Sequence, residues 1–468
     1  MYPNTGQVLD GKPFLIRPVL IQKNNYPYSM CRDLQLYGVT AALEENRAVK
    51  IKIKEISYDD LSGLKRPIHK LPVKPDPILQ KLINWLSKSE LKKLNFNTEY
   101  VDMNRLKKRE PCFVLMNHSS FIDLKIASAL LYPRPYQIIC TTDGFIGKEI
   151  LMRQIGCIPT QKFVMDVRLI KDMSYALKQL KTSVLMFPEA GYSFDGTATV
   201  LPESLGKCVK MLKVPLVIIN TYGAFTRDPL YNMLQLRKVD VSARIKYILS
   251  PEEIAEKSVN EINDIIKSYF TFDQFRWQQE NRIKVEEPFR ADGLNRVLYR
   301  CPHCNSEGKM TGKGISLKCG SCGASYTLDE YGFIKGDNVE TRFDHIPDWF
   351  RWERECVREE LLRGDYSLIA DTDIYMIVDT KYLYRVGSGV LKHNNEGFLL
   401  TGCDGKIEYR QKPSASYSLN ADYYWYEIGD MINIGDIKNS YYCFPQNCGD
   451  IVAKTRLAAE ELYKLARK

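Results

Sequence analysis

Two pairs of cysteines constrain one short stretch of this 468-residue chain more than any other feature of its sequence. Cys301 and Cys304 form a CPHC pair, and fourteen residues later Cys319 and Cys322 form a CGSC pair. Two CxxC pairs at this spacing predict a structural four-thiolate zinc site, which leaves no open position for a substrate. The neighbouring segments ISLKC and ASYTLDEYG predict short strands. We therefore expect a small zinc ribbon at residues 297–335, with zinc as a structural cofactor and no redox cofactor.

The regions on the two sides of this ribbon have different patterns. Residues 74–290 alternate strand-like apolar runs with helical patterns, which predicts an α/β domain with a mixed sheet flanked by helices. Residues 345–468 begin with a charged helix, continue as six or seven short aromatic strands, and end in one helix. This order of elements resembles the pleckstrin-homology-like fold, which implies a module that binds lipid headgroups or peptides. Residues 1–73 show no recognisable chemistry, and their role stays open.

His118 is the strongest catalytic candidate among the five histidines. It lies in NHSSFID, directly after the strand-like run CFVLMN, and Asp123 follows five residues later. Positions five apart do not share a helix face, so the two side chains meet only if His118 lies on a strand-to-helix turn. There Asp123 would accept the Nδ1 proton and leave Nε2 as a base. The pair corresponds to two members of a catalytic triad, and a substrate hydroxyl can take the part of the missing nucleophile. The alternative is that His118 and Asp123 are a polar pair that caps a helix.

Three further blocks follow in order, GCIPTQK (156–162), FPEAGYS (187–193) and VPLVIIN (214–220). Together with NHSSFID they resemble the motifs of the glycerolipid acyltransferase family, of the lysophosphatidate acyltransferase type. The resemblance implies that His118 deprotonates an acceptor hydroxyl, that Asp123 orients His118, and that the oxygen attacks an acyl thioester. It implies substrate-binding roles for six more residues, namely Asn117, Gly156, Lys162, Glu189, Ala190 and Gly191. The implied reaction transfers a fatty acyl group from acyl-CoA or acyl carrier protein to a lysophospholipid, 1-acylglycerol-3-phosphate above all, in phospholipid biosynthesis.

The second and third blocks depart from the family pattern. Lys162 stands where the family has an arginine that holds the acceptor phosphate, and lysine binds phosphate as a point charge rather than as a fork. Ala190 replaces a glycine, and Tyr192 stands in the place of a second arginine. Backbone amides near Gly191 are one possible replacement for that phosphate ligand. The departures leave open a catalytically inactive scaffold that binds lipid or protein.

Positive charge is concentrated near the start of the α/β region. The net charge is +9, and residues 62–110 contain twelve Lys or Arg against five Asp or Glu. Within this stretch, Pro77–Phe96 predicts an amphipathic helix capped by Asp76, with Trp85 and several lysines. Such a helix suits an anionic membrane surface, and the alternative is a helix packed on the domain with solvated lysines. The positive charge also suits the phosphates of coenzyme A or an acidic acyl carrier protein.

The sequence also predicts where the protein works. Its longest apolar runs fall far short of the roughly 20 residues of a spanning helix, and its first residues lack the pattern of a signal peptide. Thirteen cysteines, four of them in a metal-like spacing, predict a reducing compartment. We therefore expect a cytoplasmic protein that is peripherally associated with the cytoplasmic face of a membrane. Nucleic-acid binding by the ribbon is disfavoured, because residues 305–318 contain only three lysines.

Overall fold

A computed structural model describes residues 51–164, 166–446 and 448–467 of the chain. The strand-like run at residues 14–21, part of the N-terminal segment, lies outside these ranges. The described part begins with strand β1 (Ile53–Glu55) and helix α1 (Tyr58–Ser62). None of the helices in the described ranges combines the length and the apolar character needed to cross a bilayer.

The first domain is built on a seven-stranded sheet. Its strands are β2 (Asn97–Val101), β3 (Phe113–Met116), β4 (Tyr136–Thr141), β5 (Cys157–Thr160), β6 (Ser183–Met186), β7 (Leu216–Tyr222) and β8 (Ser242–Leu249). Their order across the sheet is β2-β8-β7-β3-β6-β4-β5, and every neighbouring pair is parallel except β7 and β8. The predicted mixed sheet is confirmed. The central strand β3 is buried along its whole length, which explains its uninterrupted apolar run.

Helices cover the two faces of this sheet. They are α2 (Pro77–Lys92), α3 (Asp123–Leu131), α4 (Glu149–Gln154), α5 (Val167–Lys178), α6 (Leu205–Leu212), α7 (Ala224–Arg227), α8 (Pro251–Glu256), α9 (Val259–Tyr269) and α10 (Gln274–Glu280). Several starts follow from the local sequence. Asp76 accepts hydrogen bonds from the first turn of α2, which has Pro77 at its first position. Ser250 and Ser258 each form a capping box with a glutamate three residues later.

Helix α2 packs on the domain with a face that its apolar stripe does not predict. The residues that it buries are Gln80, Asn84, Ser87 and Leu91. The Gln80 amide donates to the carbonyl of Tyr136 at 3.2 Å, so this polar side chain is satisfied in the interior. Ile78 and Trp85 point to solvent, with 78% and 66% of their surface exposed. The helix therefore leaves part of its apolar surface uncovered within the described structure.

The cysteine-containing segment forms an antiparallel sheet of its own. Its strands are β9 (Met310–Lys313), β10 (Ser316–Cys319), β11 (Ser325–Leu328) and β12 (Ile334–Gly336), in the order β12-β11-β10-β9. The sheet is joined to the first domain, because Arg290 Nε donates to the carbonyl of Leu328 at 2.8 Å. It is joined to the next helix, because the rings of Tyr326 and Trp349 meet edge to face at 5.0 Å.

The C-terminal module consists of a long helix, an antiparallel sheet and a closing helix. Its elements are α11 (Ile346–Arg363), β13 (Leu368–Met376), β14 (Leu383–Asn394), β15 (Gly397–Gly402), β16 (Ile407–Gln411), β17 (Asn420–Trp425), β18 (Gly429–Gly435), β19 (Ser440–Pro445) and α12 (Val452–Leu465). The strands follow the order β16-β15-β14-β13-β19-β18-β17, and β1 adds to β14 in parallel. The predicted β-rich region with a closing helix is confirmed, and its pleckstrin-homology-like character stays a prediction.

Candidate active site

His118 and Asp123 meet on the turn between β3 and α3. Nδ1 of His118 lies 3.1 Å from Oδ2 of Asp123. The same oxygen accepts the backbone N–H groups of Ser119 at 2.7 Å and Ser120 at 3.0 Å. Asp123 is fully buried, so its carboxylate both closes the turn and fixes the imidazole. The structure thus has the strand-to-helix geometry that the five-residue spacing requires.

Glu189 fastens the third block to this turn. One of its oxygens accepts the backbone N–H of His118 at 3.0 Å, and the other accepts the N–H and the hydroxyl of Thr199 at 2.8 and 3.1 Å. Burial raises the pKa of Glu189 to about 7, although these hydrogen bonds act to lower it. Ala190 follows with φ +54°, and a side chain built on Gly191 would meet nothing within 4 Å. The turn therefore leaves open space beside Gly191.

The imidazole of His118 is held between two aromatic rings. Phe187 stacks on it with a centroid distance of 4.1 Å, and Tyr192 lies at 4.1 Å with a tilt of 34°. The side chain of His118 remains 17% exposed, and among the described residues Nε2 has no hydrogen-bond partner. Burial lowers the pKa of His118 below its ordinary 6.5, the hydrogen bond and charge of Asp123 raise it, and the charge of Lys162 lowers it. The neutral, basic form is therefore favoured near pH 7.

Gly156 directly precedes β5 and Lys162 follows it by two residues, and the two have different roles, one in packing and one in electrostatics. Gly156 is buried at φ +98°, where a Cβ would lie 2.7 Å from the ring of Pro75, so the close packing requires a glycine. Lys162 is half-buried, and its charge lowers the pKa of both His118 and Asp422. Burial, the larger effect, raises the pKa of Asp422 to about 7. Lys162 is therefore placed to act electrostatically on the site.

Asn117 links the first block to Thr221, the residue that directly follows the fourth block. Its Oδ1 accepts the backbone N–H of Thr221 at 2.8 Å, and its Nδ2 donates to the hydroxyls of Ser119 and Thr221, each at 3.1 Å. Asn117 is fully buried. The contacts of its side chain therefore join the turn that carries His118 to the C-terminal end of β7.

Residues of the C-terminal module reach the site, which the sequence does not indicate. Arg456 of α12 donates from Nη1 to the carbonyl of Tyr192 at 3.1 Å, across 264 residues of sequence. Ser416 donates to the carbonyl of Phe163 at 3.4 Å, and the hydroxyl of Tyr426 donates to Asp143 at 3.0 Å. No local pattern could have found these contacts, because each depends on how the module packs on the first domain. The stacking of Tyr192 on His118 could not be predicted from the sequence either, because it depends on the turn that Glu189 fastens to the backbone of His118.

The four cysteines of the ribbon converge on one point. Their sulfur atoms all lie within 4.8 Å of one another, with 3.8 Å between Cys301 and Cys322 and 3.7 Å between Cys304 and Cys319. A tetrahedral zinc ion with Zn–S bonds of about 2.3 Å holds its sulfurs about 3.8 Å apart. The donor set and its spacing therefore fit a zinc ion, and these residues can hold one.

Comparison with known proteins agrees with the geometry of the first domain. Residues 97–220 match the family model described as Acyltransferase. This part of the chain is an acyltransferase domain. The match contains all four sequence blocks, so the resemblance of this region to an acyltransferase family is confirmed, and it supports acyltransferase activity. None of the curated proteins matches the chain. A similar solved structure is the 1-acyl-sn-glycerophosphate (LPA) acyltransferase PlsC from Thermotoga maritima, with 16% identity, a TM-score of 0.32, and coverage of 41% of this chain and 78% of that chain.

Proposed function

We propose that this protein transfers a fatty acyl group from an acyl thioester to the hydroxyl of a lysophospholipid, with 1-acylglycerol-3-phosphate as the acceptor and phosphatidate as the product. One observation carries the proposal. In an acyltransferase domain, His118 is oriented through Nδ1 by a buried carboxylate, and its Nε2 has no partner among the described residues. This arrangement is the one that a general base for an alcohol needs.

The proposed reaction follows from that arrangement. Nε2 of His118 accepts the proton of the acceptor hydroxyl while the oxygen attacks the thioester carbonyl and forms the new C–O bond. The tetrahedral intermediate then breaks its C–S bond, and the imidazolium returns the proton to the departing thiolate. Asp123 stabilises the transient imidazolium and keeps Nε2 directed at the substrate. No acyl-enzyme forms.

The charges near the site suit the proposed substrates. Lys162 would pair with the acceptor phosphate as a point charge. The open space beside Gly191 leaves its backbone accessible to a polar group of the substrate. The basic character of the chain suits the phosphates of coenzyme A and the acidic surface of an acyl carrier protein equally, so both remain candidate donors.

Lipid mass spectrometry of the purified full-length chain tests the proposal. The protein is incubated with palmitoyl-CoA, or with palmitoyl acyl carrier protein, and a panel of lysophospholipids that differ only in headgroup. We expect a diacyl product with 1-acylglycerol-3-phosphate and slower or no transfer to the other headgroups. Absence of any diacyl product with both donors would instead favour the scaffold that lacks activity.

The pH dependence of this transfer provides a first quantitative prediction. Because burial lowers the pKa of His118, the neutral base persists below pH 6.5, and activity should fall only as pH drops below that value. We expect kcat/KM to have an acidic limb with an apparent pKa below 6.5. The Asp123→Asn variant should move this limb further down, because the carboxylate acts to raise the pKa of His118. A wild-type limb above 6.5 would contradict the assignment of the base.

We also propose that the protein works at the cytoplasmic face of a membrane, through a surface that we call the N-terminal face. It is the side of α2 on which Ile78, Lys81, Trp85 and Lys88 are exposed, and the segment that precedes α2 also exposes Ile68 and Leu71. Arg153 of α4 donates to the carbonyls of Lys70 and Leu71, so part of this segment is fixed on the domain. Exposed apolar side chains beside lysines favour an anionic lipid surface.

Vesicle sedimentation tests the N-terminal face. Ile78→Ser combined with Trp85→Ala should weaken binding to vesicles that contain anionic phosphatidylglycerol by roughly tenfold or more, because burying one such side chain contributes about 1.5–3 kcal/mol. Binding of the wild type should also weaken with salt. Ile369→Ser is the matched control, since Ile369 is 64% exposed in the C-terminal module. Equal losses in the double variant and the control would refute this surface.

We propose, in addition, that Cys301, Cys304, Cys319 and Cys322 hold a structural zinc ion. The tetrahedral spacing of the four sulfurs supports it. When bound, zinc would cross-link the two ends of the ribbon and would supply no catalytic chemistry, because all four positions are taken by the chain.

A further inference from the structure

Tyr192 is held from both sides at the active site. Its ring lies against the imidazole of His118, with 4.1 Å between the centroids, and it also contacts the ring of Phe121 at 5.4 Å. Its backbone carbonyl accepts a hydrogen bond from Arg456 at 3.1 Å. The next residue, Ser193, donates its N–H to the carbonyl of His118 at 3.4 Å. The position of this ring therefore depends on a backbone segment to which Arg456 is directly hydrogen-bonded.

The guanidinium of Arg456 is itself firmly held. Arg456 is 6% exposed, and its Nε lies 3.3 Å from Glu460, one turn along α12. Glu460 also accepts the hydroxyl of Ser418 at 2.6 Å and pairs with Arg354 of α11 at 2.7 Å. The guanidinium lies over the ring of Phe194, with 4.6 Å to its centroid. A planar group fixed in this way has one orientation, in which Nη1 points at the carbonyl of Tyr192.

We propose that Arg456 is a positioning residue for the catalytic base, which acts by holding the Tyr192 ring over the imidazole of His118. The proposal rests on the acyl transfer proposed above and adds to it a defined role for the C-terminal module. The module is then part of the catalytic unit, since one of its helices determines how far solvent reaches the base. Arg456 does not touch substrate in this role.

The charges around the two groups determine the direction of the expected effect. His118 faces the carboxylates of Asp123 and, through its backbone, Glu189, and it experiences the charge of Lys162. Arg456 faces Glu460 and lowers the pKa of Glu189. Arg456→Lys keeps the positive charge but removes the planar guanidinium, which binds Glu460 through Nε and the carbonyl of Tyr192 through Nη1 at the same time. If the ring of Tyr192 moves away, solvent reaches His118, and the burial that lowers its pKa is reduced.

The test is an NMR titration of the His118 imidazole in the full-length protein, together with the pH profile of kcat/KM. His118→Asn identifies the resonance among those of the five histidines. We expect Arg456→Lys to raise the titration midpoint of His118 toward 6.5 and to lower kcat by about ten- to hundredfold, as misplacement of about 1 Å does in other enzymes. Arg358→Lys is the matched control. Arg358 lies on α11, is 43% exposed, and pairs with Glu461 of α12, the helix that also carries Arg456.

A second variant separates positioning from folding. Tyr192→Ala should raise the midpoint of His118 by itself, and adding Arg456→Lys to it should raise the midpoint no further. An unchanged midpoint in Arg456→Lys, or additive shifts in the double variant, would overturn the positioning role. The NMR titration needs no turnover, so a protein that transfers no acyl group would refute the proposed function and still report on the contact between Arg456 and Tyr192.

Discussion

His118→Ala is expected to reduce acyl transfer about a thousandfold, within the range of roughly 10²–10⁴ that positioned acids and bases contribute. The reason is the geometry of the turn, where the carboxylate of Asp123 binds Nδ1 of His118 and leaves the lone pair of Nε2 available for the substrate proton. No described lysine or carboxylate is bonded to the imidazole from the Nε2 side, so the variant has no obvious substitute base. The measurement is the initial rate of diacyl product formation with saturating donor and acceptor.

Two matched variants make this result specific. His69→Ala removes a histidine that is 39% exposed and pairs with Asp172 at 3.1 Å, and the rate should change less than twofold. Asp123→Asn removes the charge that orients and stabilises the imidazole but leaves the base itself, so we expect a loss smaller than that of His118→Ala. Circular dichroism must show that all three variants are folded. Equal rates for the wild type and a folded His118→Ala variant would exclude His118 as the base.

Much of the first domain could be predicted from the sequence because its signals are local. The runs at residues 112–116 and 184–187 are continuously apolar because β3 and most of β6 are buried inside the parallel part of the sheet. The start of α2 follows from Asp76 and Pro77, which act within one turn. The contact between His118 and Asp123 could also be expected, because only one kind of turn brings two such side chains together over five residues.

The face on which α2 packs could not be predicted by the same reasoning. Apolar periodicity assumes that the apolar side is the buried side, yet Gln80 and Asn84 are buried while Trp85 is exposed. The Gln80 amide bonds a carbonyl of β4, so burial of this polar group costs little. Such a partner lies 56 residues away and has no counterpart in the helix pattern.

The residues that surround His118 could not be predicted from the sequence either, for a different reason. Nothing in the sequence around Tyr192 distinguishes it from a tyrosine that only packs in the interior. Only the turn formed by Glu189 brings its ring to His118. Arg456 lies in an amphipathic helix at the other end of the chain, where an arginine usually faces solvent. Its burial depends on Glu460 and on the docking of two domains, which are properties of the folded molecule.

Removal of metal from the purified protein is expected to unfold the ribbon and to abolish acyl transfer. Structural zinc sites of this kind contribute an apparent binding free energy of about 10–16 kcal/mol, far more than a four-stranded sheet of this size can supply from its own core. Cys304 and Cys322 are exposed, so a chelator such as phenanthroline can reach the site. Elemental analysis of the untreated protein should find one zinc ion per chain, and its loss should lower the melting temperature.

The effect on transfer follows from the position of the ribbon between the two larger parts. The carbonyl of Leu328 in β11 accepts a hydrogen bond from Arg290 of the first domain, and Tyr326 of the same strand packs on Trp349 of α11. Helix α11 holds α12 through Arg354 and Glu460, and α12 carries Arg456 to the active site. Loosening the ribbon should therefore free Tyr192 from His118 as well. Cys304→Ala should reproduce the losses of stability and of rate, while Cys403→Ser, at a cysteine outside the cluster, should keep both near the wild-type values. A metal-free protein with an unchanged melting temperature and rate would show that the ribbon is held by its packing alone.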